Sequence, residues 1–92
     1  MITFTRKAKI ALETLQPKDR KRVENAIRTV DRDPENSAGP RQVRKLNLPG
    51  NVYIARAGRM LQVIFELSDE TAQILDIVRS DRLERFHQAL AS

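Results

Sequence analysis

The hydrophobic residues of this chain follow two different repeats, one in its first third and another after residue 42. In the first third they recur every three or four positions, in two sets: Ala8, Ala11, Leu12 and Leu15, then Val23, Ala26, Ile27 and Val30. This spacing predicts two consecutive amphipathic helices, one over about residues 6–15 and the next beginning at Pro17. Thr5 is suited to cap the first helix, and Pro17 and Asp19 are suited to the first turn of the second.

After residue 42 apolar and polar residues alternate, which is typical of strands. In the fourth predicted segment Leu61, Val63 and Phe65 face one way, whereas Gln62 and Ile64 face the other. The predicted strands, with a short one at the N-terminus, cover residues 1–5, 43–48, 52–56, 60–67 and 72–78. The last strand is apolar on both faces, so a central position in the sheet is expected. Turns are predicted at Pro49-Gly50-Asn51, Ala57-Gly58-Arg59 and Ser68-Asp69-Glu70.

Polar residues over 33–40 predict a loop, and Asp81 with Glu84 resembles a capping box that opens a last helix. The inward stripe of that helix is Leu83, Phe86, His87 and Leu90. The predicted class is α+β: a short N-terminal strand and a helical hairpin pack on an antiparallel sheet of four to five strands, with a short C-terminal helix. Residues 1–92 form one domain. If the helices cover one face of the sheet, the other face is left for function.

Composition narrows the possible partners. The chain has a net charge of +5 and a pI of about 10.2, and no acidic residue occurs between Glu35 and Glu66. Such charge suits nucleic acid, an anionic membrane surface or an acidic protein. With no cysteine and one histidine, a disulfide framework and a thiolate or zinc site are excluded, and we expect no metal or other cofactor. No apolar run suits a signal peptide or a membrane span, so a soluble cytoplasmic protein is expected.

The arginines are the main candidates for chemistry. Arg56 and Arg59 flank a predicted turn, and Arg79 and Arg82 bracket the end of the last strand. In an antiparallel sheet these ends can converge, and guanidinium groups bind phosphates in a bidentate manner. They can also stabilise the negative charge of a transition state at phosphorus. A ribonuclease needs few further groups when the 2′-hydroxyl of RNA is the nucleophile, although scattered solubilising arginines would produce the same composition.

Other polar residues favour structural roles. Asp76 lies within an apolar strand, where a salt bridge to Arg79 or to an arginine of a neighbouring strand is favoured over a general base. For His87 a partly buried, hydrogen-bonded imidazole is favoured over a catalytic one. The charged face of the second helix, which includes Arg22, is expected to be a solvated surface.

The ensemble of these elements resembles the RelE/ParE superfamily of bacterial and archaeal toxins from type II toxin–antitoxin systems. The likeness covers nearly the whole chain and is strongest in RKLNLPGNVYIARAGRMLQVIFEL and ILDIVRSDRLERF. The matching residues are Lys45-Leu46, Tyr53, Arg56, Gly58, Val63-Ile64-Phe65 and the strand Ile74 to Val78. The resemblance implies a toxin that a cognate antitoxin neutralises. It further implies that the toxin inhibits translation by cleaving mRNA on the ribosome, or that it poisons DNA gyrase as ParE-like members do.

Three positions depart from the pattern of the cleaving members. Gln62 stands where an arginine is usual, Ser80 where histidine or arginine is common, and Phe86 where some members carry a functional tyrosine. The predicted catalytic residues are Arg56, Arg59, Gln62, Arg79, Ser80 and Arg82, and the predicted RNA-binding residues are Arg41, Arg44, Lys45 and Arg85. A metal-independent endoribonuclease that binds mRNA and the ribosome is the first hypothesis. A gyrase poison and a catalytically silent module that binds an acidic partner are the alternatives.

Overall fold

The computed structural model describes residues 1–32 and 43–79, which form two helices and one five-stranded sheet. The elements are β1 (Ile2–Phe4), α1 (Arg6–Glu13), α2 (Pro17–Arg32), β2 (Val43–Lys45), β3 (Val52–Ala57), β4 (Leu61–Ser68) and β5 (Thr71–Arg79). Their order and the α+β class are as predicted. The predicted loop over residues 33–40 and the predicted C-terminal helix lie outside the described residues.

The strands are arranged in the order β1-β5-β4-β3-β2. From β2 to β5 each strand is antiparallel to the next, which is the predicted meander, and β5 has the predicted central position. β1, in contrast, lies parallel to β5, with Ile2 opposite Ala72, so the sheet is mixed rather than fully antiparallel. A parallel pair needs a long connection, and here both helices and three strands lie between the two partners.

The first helix begins at the predicted cap. The hydroxyl oxygen of Thr5 accepts a hydrogen bond from the backbone N–H of Ala8 at 3.1 Å and donates one to the carbonyl oxygen of Leu75 at 2.9 Å. The backbone N–H of Thr5 also bonds the carbonyl oxygen of Ile74. Thr5 therefore connects the start of α1 to β5. The connection lies at the end of the segment of β5, residues 72–74, that pairs with β1.

The main core lies between the helices and one face of the sheet, here called the covered face. α1 packs on β5, and α2 packs on β3 and β4. The largest fully buried side chains are Val23, Val30, Val63, Phe65 and Ile74. The ring of Phe65 stacks on that of Tyr53 with their centroids 5.6 Å apart. The opposite face, here called the open face, carries a smaller cluster in which Leu46, Val52 and Ile54 are buried.

Candidate nucleic-acid interface

A groove of about 660 Å³ lies on the open face, between α1, the strands β3, β4 and β5, and the segment that follows β2. Its walls are mainly apolar and include Ile10, Leu46, Leu48, Val52, Ile64, Leu75 and Val78. Ile10 is 52% exposed although it is large and apolar. The groove thus presents hydrophobic surface that α1 and α2 do not cover.

A polar pair of side chains, Arg56 and Gln62, lies beside Val78, which lines the groove. In the sheet register Arg56 is opposite Gln62, and Gln62 is opposite Val78, so the three side chains form one row across the open face. Directly opposed Cβ atoms lie about 5 Å apart, which places the guanidinium of Arg56 within reach of the Gln62 amide. Arg56 is exposed and Gln62 is partly buried. The structure thereby brings together these two predicted site residues.

The Gln62 amide has an unused acceptor. Its Oε1 atom is buried and has no hydrogen-bond partner among the described residues. A buried acceptor without a partner costs about 1–3 kcal/mol. A ligand hydroxyl could satisfy it only if the Gln62 side chain turned toward the open face, whereas the exposed Arg56 in the same row is directly accessible to a phosphate.

The remaining predicted cations are divided between the two faces. Arg44 is opposite Ile54 and belongs to the open face, whereas Lys45 is opposite Tyr53 and belongs to the covered face. Arg79 is opposite Leu61, a core residue, so it also belongs to the covered face. The division follows from strand geometry, because consecutive side chains point to opposite faces.

Arg59 lies in the β3–β4 turn, at the same end of the sheet as Arg56 and Arg79. The structure therefore collects Arg56, Arg59 and Arg79 around one end rather than on one face. The other predicted site residues, Arg41, Ser80, Arg82 and Arg85, lie outside the described residues.

The sequence did not indicate Arg22 as part of this region. Gly58, in the β3–β4 turn, has a φ of +79°, and a Cβ atom built on it would lie 3.0 Å from Cδ of Arg22. The Arg22 side chain, from α2, therefore passes directly over the turn. Its Nη1 atom is 3.4 Å from Oδ1 of Asp19. A glycine in a turn flanked by arginines was the only sequence signal, and it does not reveal which residue approaches it.

Asp76 has a structural role, with a different partner from the one expected. Its Oδ2 atom is 3.3 Å from Nζ of Lys7, and its Oδ1 atom accepts the backbone N–H of Ile77 at 2.8 Å. The predicted salt bridge to an arginine is therefore wrong in its partner, because α1 lies along β5 and brings Lys7 to the carboxylate. No group of three or more His, Asp or Glu side chains within residues 1–32 and 43–79 could hold a metal ion.

The chain matches no family model and no curated protein. Solved structures do match. The RelE–RelB complex of Pyrococcus horikoshii is 23% identical, with a TM-score of 0.70 over 88% of this chain and 94% of that one. The E. coli RelBE complex is 13% identical, with a TM-score of 0.72 over 87% and 95%. The RelBE2 complex of Mycobacterium tuberculosis is 25% identical, with a TM-score of 0.66 over 86% and 95%.

These observations define the chain first as a small basic α+β protein with an apolar groove and an arginine-rich end on one sheet. Its fold is that of the RelE toxins, so the resemblance inferred from the sequence is confirmed at the level of fold. Within the described residues, no helix has the length and apolar character needed to cross a membrane.

Proposed function

We propose that this chain is the toxin of a type II toxin–antitoxin system and that it inhibits translation by cleaving mRNA on the ribosome. The observation that carries the proposal is the row formed by Arg56 and Gln62 on the open face, on a fold shared with RelE toxins. The row combines a permanent, exposed cation for phosphate with an amide acceptor that has no partner among the described residues and that a turn of the Gln62 side chain would present to a hydroxyl group. An RNA 2′-hydroxyl and its adjacent phosphate present these two groups side by side.

In the proposed reaction the 2′-hydroxyl oxygen attacks the adjacent phosphorus, and the bond from phosphorus to the 5′-oxygen breaks. On binding, the Gln62 side chain turns so that its Oε1 atom accepts a hydrogen bond from the 2′-hydroxyl and orients it, while Arg56 stabilises the charge that develops on the phosphate oxygens. Neither residue is a base, because a guanidinium stays protonated and an amide is not basic. Water therefore takes the 2′ proton and returns one to the leaving oxygen. The products are a 2′,3′-cyclic phosphate and a 5′-hydroxyl end, with no metal ion involved.

The experiment is inducible expression of the chain in a bacterial host, with growth, protein synthesis and RNA 5′ ends followed together. We expect growth arrest, loss of protein synthesis and new 5′-hydroxyl ends within translated messages. Arg56→Ala and Gln62→Leu should each lower cleavage by about 10-fold or more, since one transition-state contact contributes a few kcal/mol. The matched control is Arg28→Ala, which removes an exposed arginine from α2, away from the row.

Two outcomes would replace the proposal with an alternative. Intact mRNA together with a DNA-damage response would identify a gyrase poison of the ParE type. Normal growth with preserved partner binding would identify a silent binding module.

We further propose that the partner is a cognate antitoxin, as in the RelE–RelB and YoeB–YefM complexes that share this fold. An amphipathic segment of that partner would fill the groove with apolar side chains and direct acidic groups toward the arginines.

Ile10 and Met60 allow a matched test of antitoxin binding, because they are 52% and 51% exposed but only Ile10 lines the groove. Ile10→Gln should weaken antitoxin binding about 10-fold, given about 1.5–3 kcal/mol for a fully buried side chain of this size. Met60→Gln should leave it unchanged, and equal effects would place the partner elsewhere.

A further inference from the structure

Arg22, on α2, reaches the arginine-rich end of the sheet from the helical layer. We propose that Arg22 and Arg59 form a second phosphate-binding subsite at the β3–β4 turn, next to the row formed by Arg56 and Gln62. An RNA backbone bound at that row would continue around the end of the sheet onto this subsite. The inference rests on the proposed function for the identity of the ligand, RNA. It adds a phosphate-binding role for Arg22, a residue of α2 that lies outside the sheet.

The first support is the fit between Arg22 and Gly58. Gly58 has a positive φ, which side chains rarely adopt, and a Cβ atom on it would be in tight contact with Arg22, at 3.0 Å from Cδ and 3.7 Å from Nε. The absence of a side chain at this position lets Arg22 lie on the turn without a steric shift. Arg59 directly follows Gly58 in the chain, so its Cα atom is about 3.8 Å from that of Gly58. The two arginines therefore belong to one local surface.

The second support is the weak internal pairing of Arg22. Its contact with Asp19 is long, at 3.4 Å, and the two side chains are 58% and 39% exposed. An exposed pair of this kind is weak, and it occupies only one of the five N–H donors of the guanidinium. The remaining donors are available to the oxygen atoms of a phosphate.

The third support is the charge around the turn. Arg56 comes from β3, Arg59 from the turn and Arg22 from α2, while Arg79 ends β5 on the covered face opposite Leu61. Like charges that are brought to one end of a small domain repel each other, and a bound polyanion removes that cost. Arg79, which the β4–β5 register places on the covered face, extends the same positive surface past the turn. An RNA backbone, with one charge on each nucleotide, fits a surface of this shape.

The test is the affinity of the purified chain for a fluorescein-labelled single-stranded RNA that is too short to fold, measured by anisotropy over a range of salt concentrations. Arg22→Gln should raise Kd by about 5-fold at low salt and reduce the slope of log K against log salt by about 0.7, as expected for one lost phosphate contact on a single strand. Arg22→Lys should keep the salt slope and lose part of the affinity, because the charge remains but the bidentate geometry is lost. Arg28→Gln is the matched control on the same helix and should change Kd by less than about 2-fold.

Gly58→Ala provides a second, independent variant. Its Cβ atom should shift Arg22 and weaken RNA binding by no more than Arg22→Gln does, and the double variant should be no weaker than Arg22→Gln alone. Additive losses would show that Gly58 acts without Arg22. If circular dichroism shows that Gly58→Ala does not fold, the Arg22 substitutions alone decide the question.

The failure of this inference can be distinguished from failure of the proposed function. If Arg56→Ala weakens RNA binding while Arg22→Gln behaves as Arg28→Gln does, the second subsite is wrong and the proposed function stands. If Arg56→Ala is also without effect, neither the row nor the turn binds RNA.

Discussion

Thr5 joins the helical layer to the sheet through one hydroxyl group, which both caps α1 and bonds β5. Thr5→Ala removes both hydrogen bonds and should lower the free energy of unfolding by about 1–2 kcal/mol. Thr5→Ser keeps the hydroxyl and should lose less than half of that amount. Urea denaturation measures both variants, and an equal loss in the two would show that the methyl group, rather than the hydroxyl, is responsible.

The Asp76 carboxylate makes two contacts, with Lys7 and with the backbone N–H of Ile77, and their contributions to stability can be measured separately. Lys7→Ala should cost less than about 1 kcal/mol, because Lys7 is 79% exposed and exposed ion pairs contribute little. Asp76→Ala should cost more, about 1–3 kcal/mol, since it also leaves the Ile77 N–H without its acceptor. Asp76→Asn keeps an acceptor oxygen and should fall between them. If Lys7→Ala is as costly as Asp76→Ala in thermal or urea unfolding, the ion pair is the dominant contact.

For single residues, the sequence predicts a role when that role depends only on near neighbours along the chain. The cap at Thr5 was predictable because capping is a local pattern, whereas its bond to Leu75 depends on the position of β5. Gln62 was singled out from the resemblance, but its buried acceptor follows from packing. The contact of Arg22 with Gly58 joins residues far apart in sequence, so no local pattern could indicate it.

At the scale of elements, neighbouring side chains of β5 lie in two different environments, the main core on one face of the sheet and the groove on the other. Ile74 is fully buried in the main core, and its neighbour Leu75 is partly buried beside the groove. Ile74→Ala should therefore cost about 2–5 kcal/mol of the free energy of unfolding. Leu75→Ala should cost less than about 2 kcal/mol, because the groove already leaves part of its surface exposed to water. Equal costs in urea unfolding would mean that the groove is filled in the free protein.

Helices and strands were largely predictable from the period of their apolar residues. α2 begins at the predicted Pro17, and β4 has the predicted alternation with its bounds shifted by one residue. β2 ends at Lys45 rather than at Leu48, because residues 47–51 form bends before β3. The parallel partner of β1 was missed for a different reason: three residues carry no signal for direction, and the pairing strand lies some seventy positions later.

At the scale of the whole molecule, the groove and the arginine-rich end meet at Val78, which lines the groove and completes the row of Arg56 and Gln62. A partner that fills the groove should therefore compete with RNA. We expect the antitoxin to raise the apparent Kd for labelled RNA in proportion to its concentration. Ile10→Gln should weaken this competition and leave RNA affinity itself unchanged. Simultaneous binding of both ligands, seen as a ternary complex in size-exclusion chromatography, would contradict the shared boundary.

The fold class could be predicted from the sequence, whereas the distribution of charge between the two faces of the sheet could not. Patterns of apolar residues determine which elements form and which faces are buried. The position of Arg79 depends instead on the register of β4 against β5. Leu61 is buried in the core on the covered face, and Arg79, which is opposite Leu61, lies on that same face and not on the open face with Arg56. Register is a property of paired strands, so it emerges only when the sheet is assembled.

The pairing of β1 with β5 also bears on the order of biosynthesis. β1 is synthesised first, but its neighbour β5 is the last described strand, so β1 cannot pair until residues 71–79 have been made. A nascent chain released early, after Ser68 for example, would lack the strand that holds β1, Thr5 and α1 together. A truncated copy of this kind should thus lack the partner of β1, and the row formed by Arg56, Gln62 and Val78 is complete only once β5 has been synthesised.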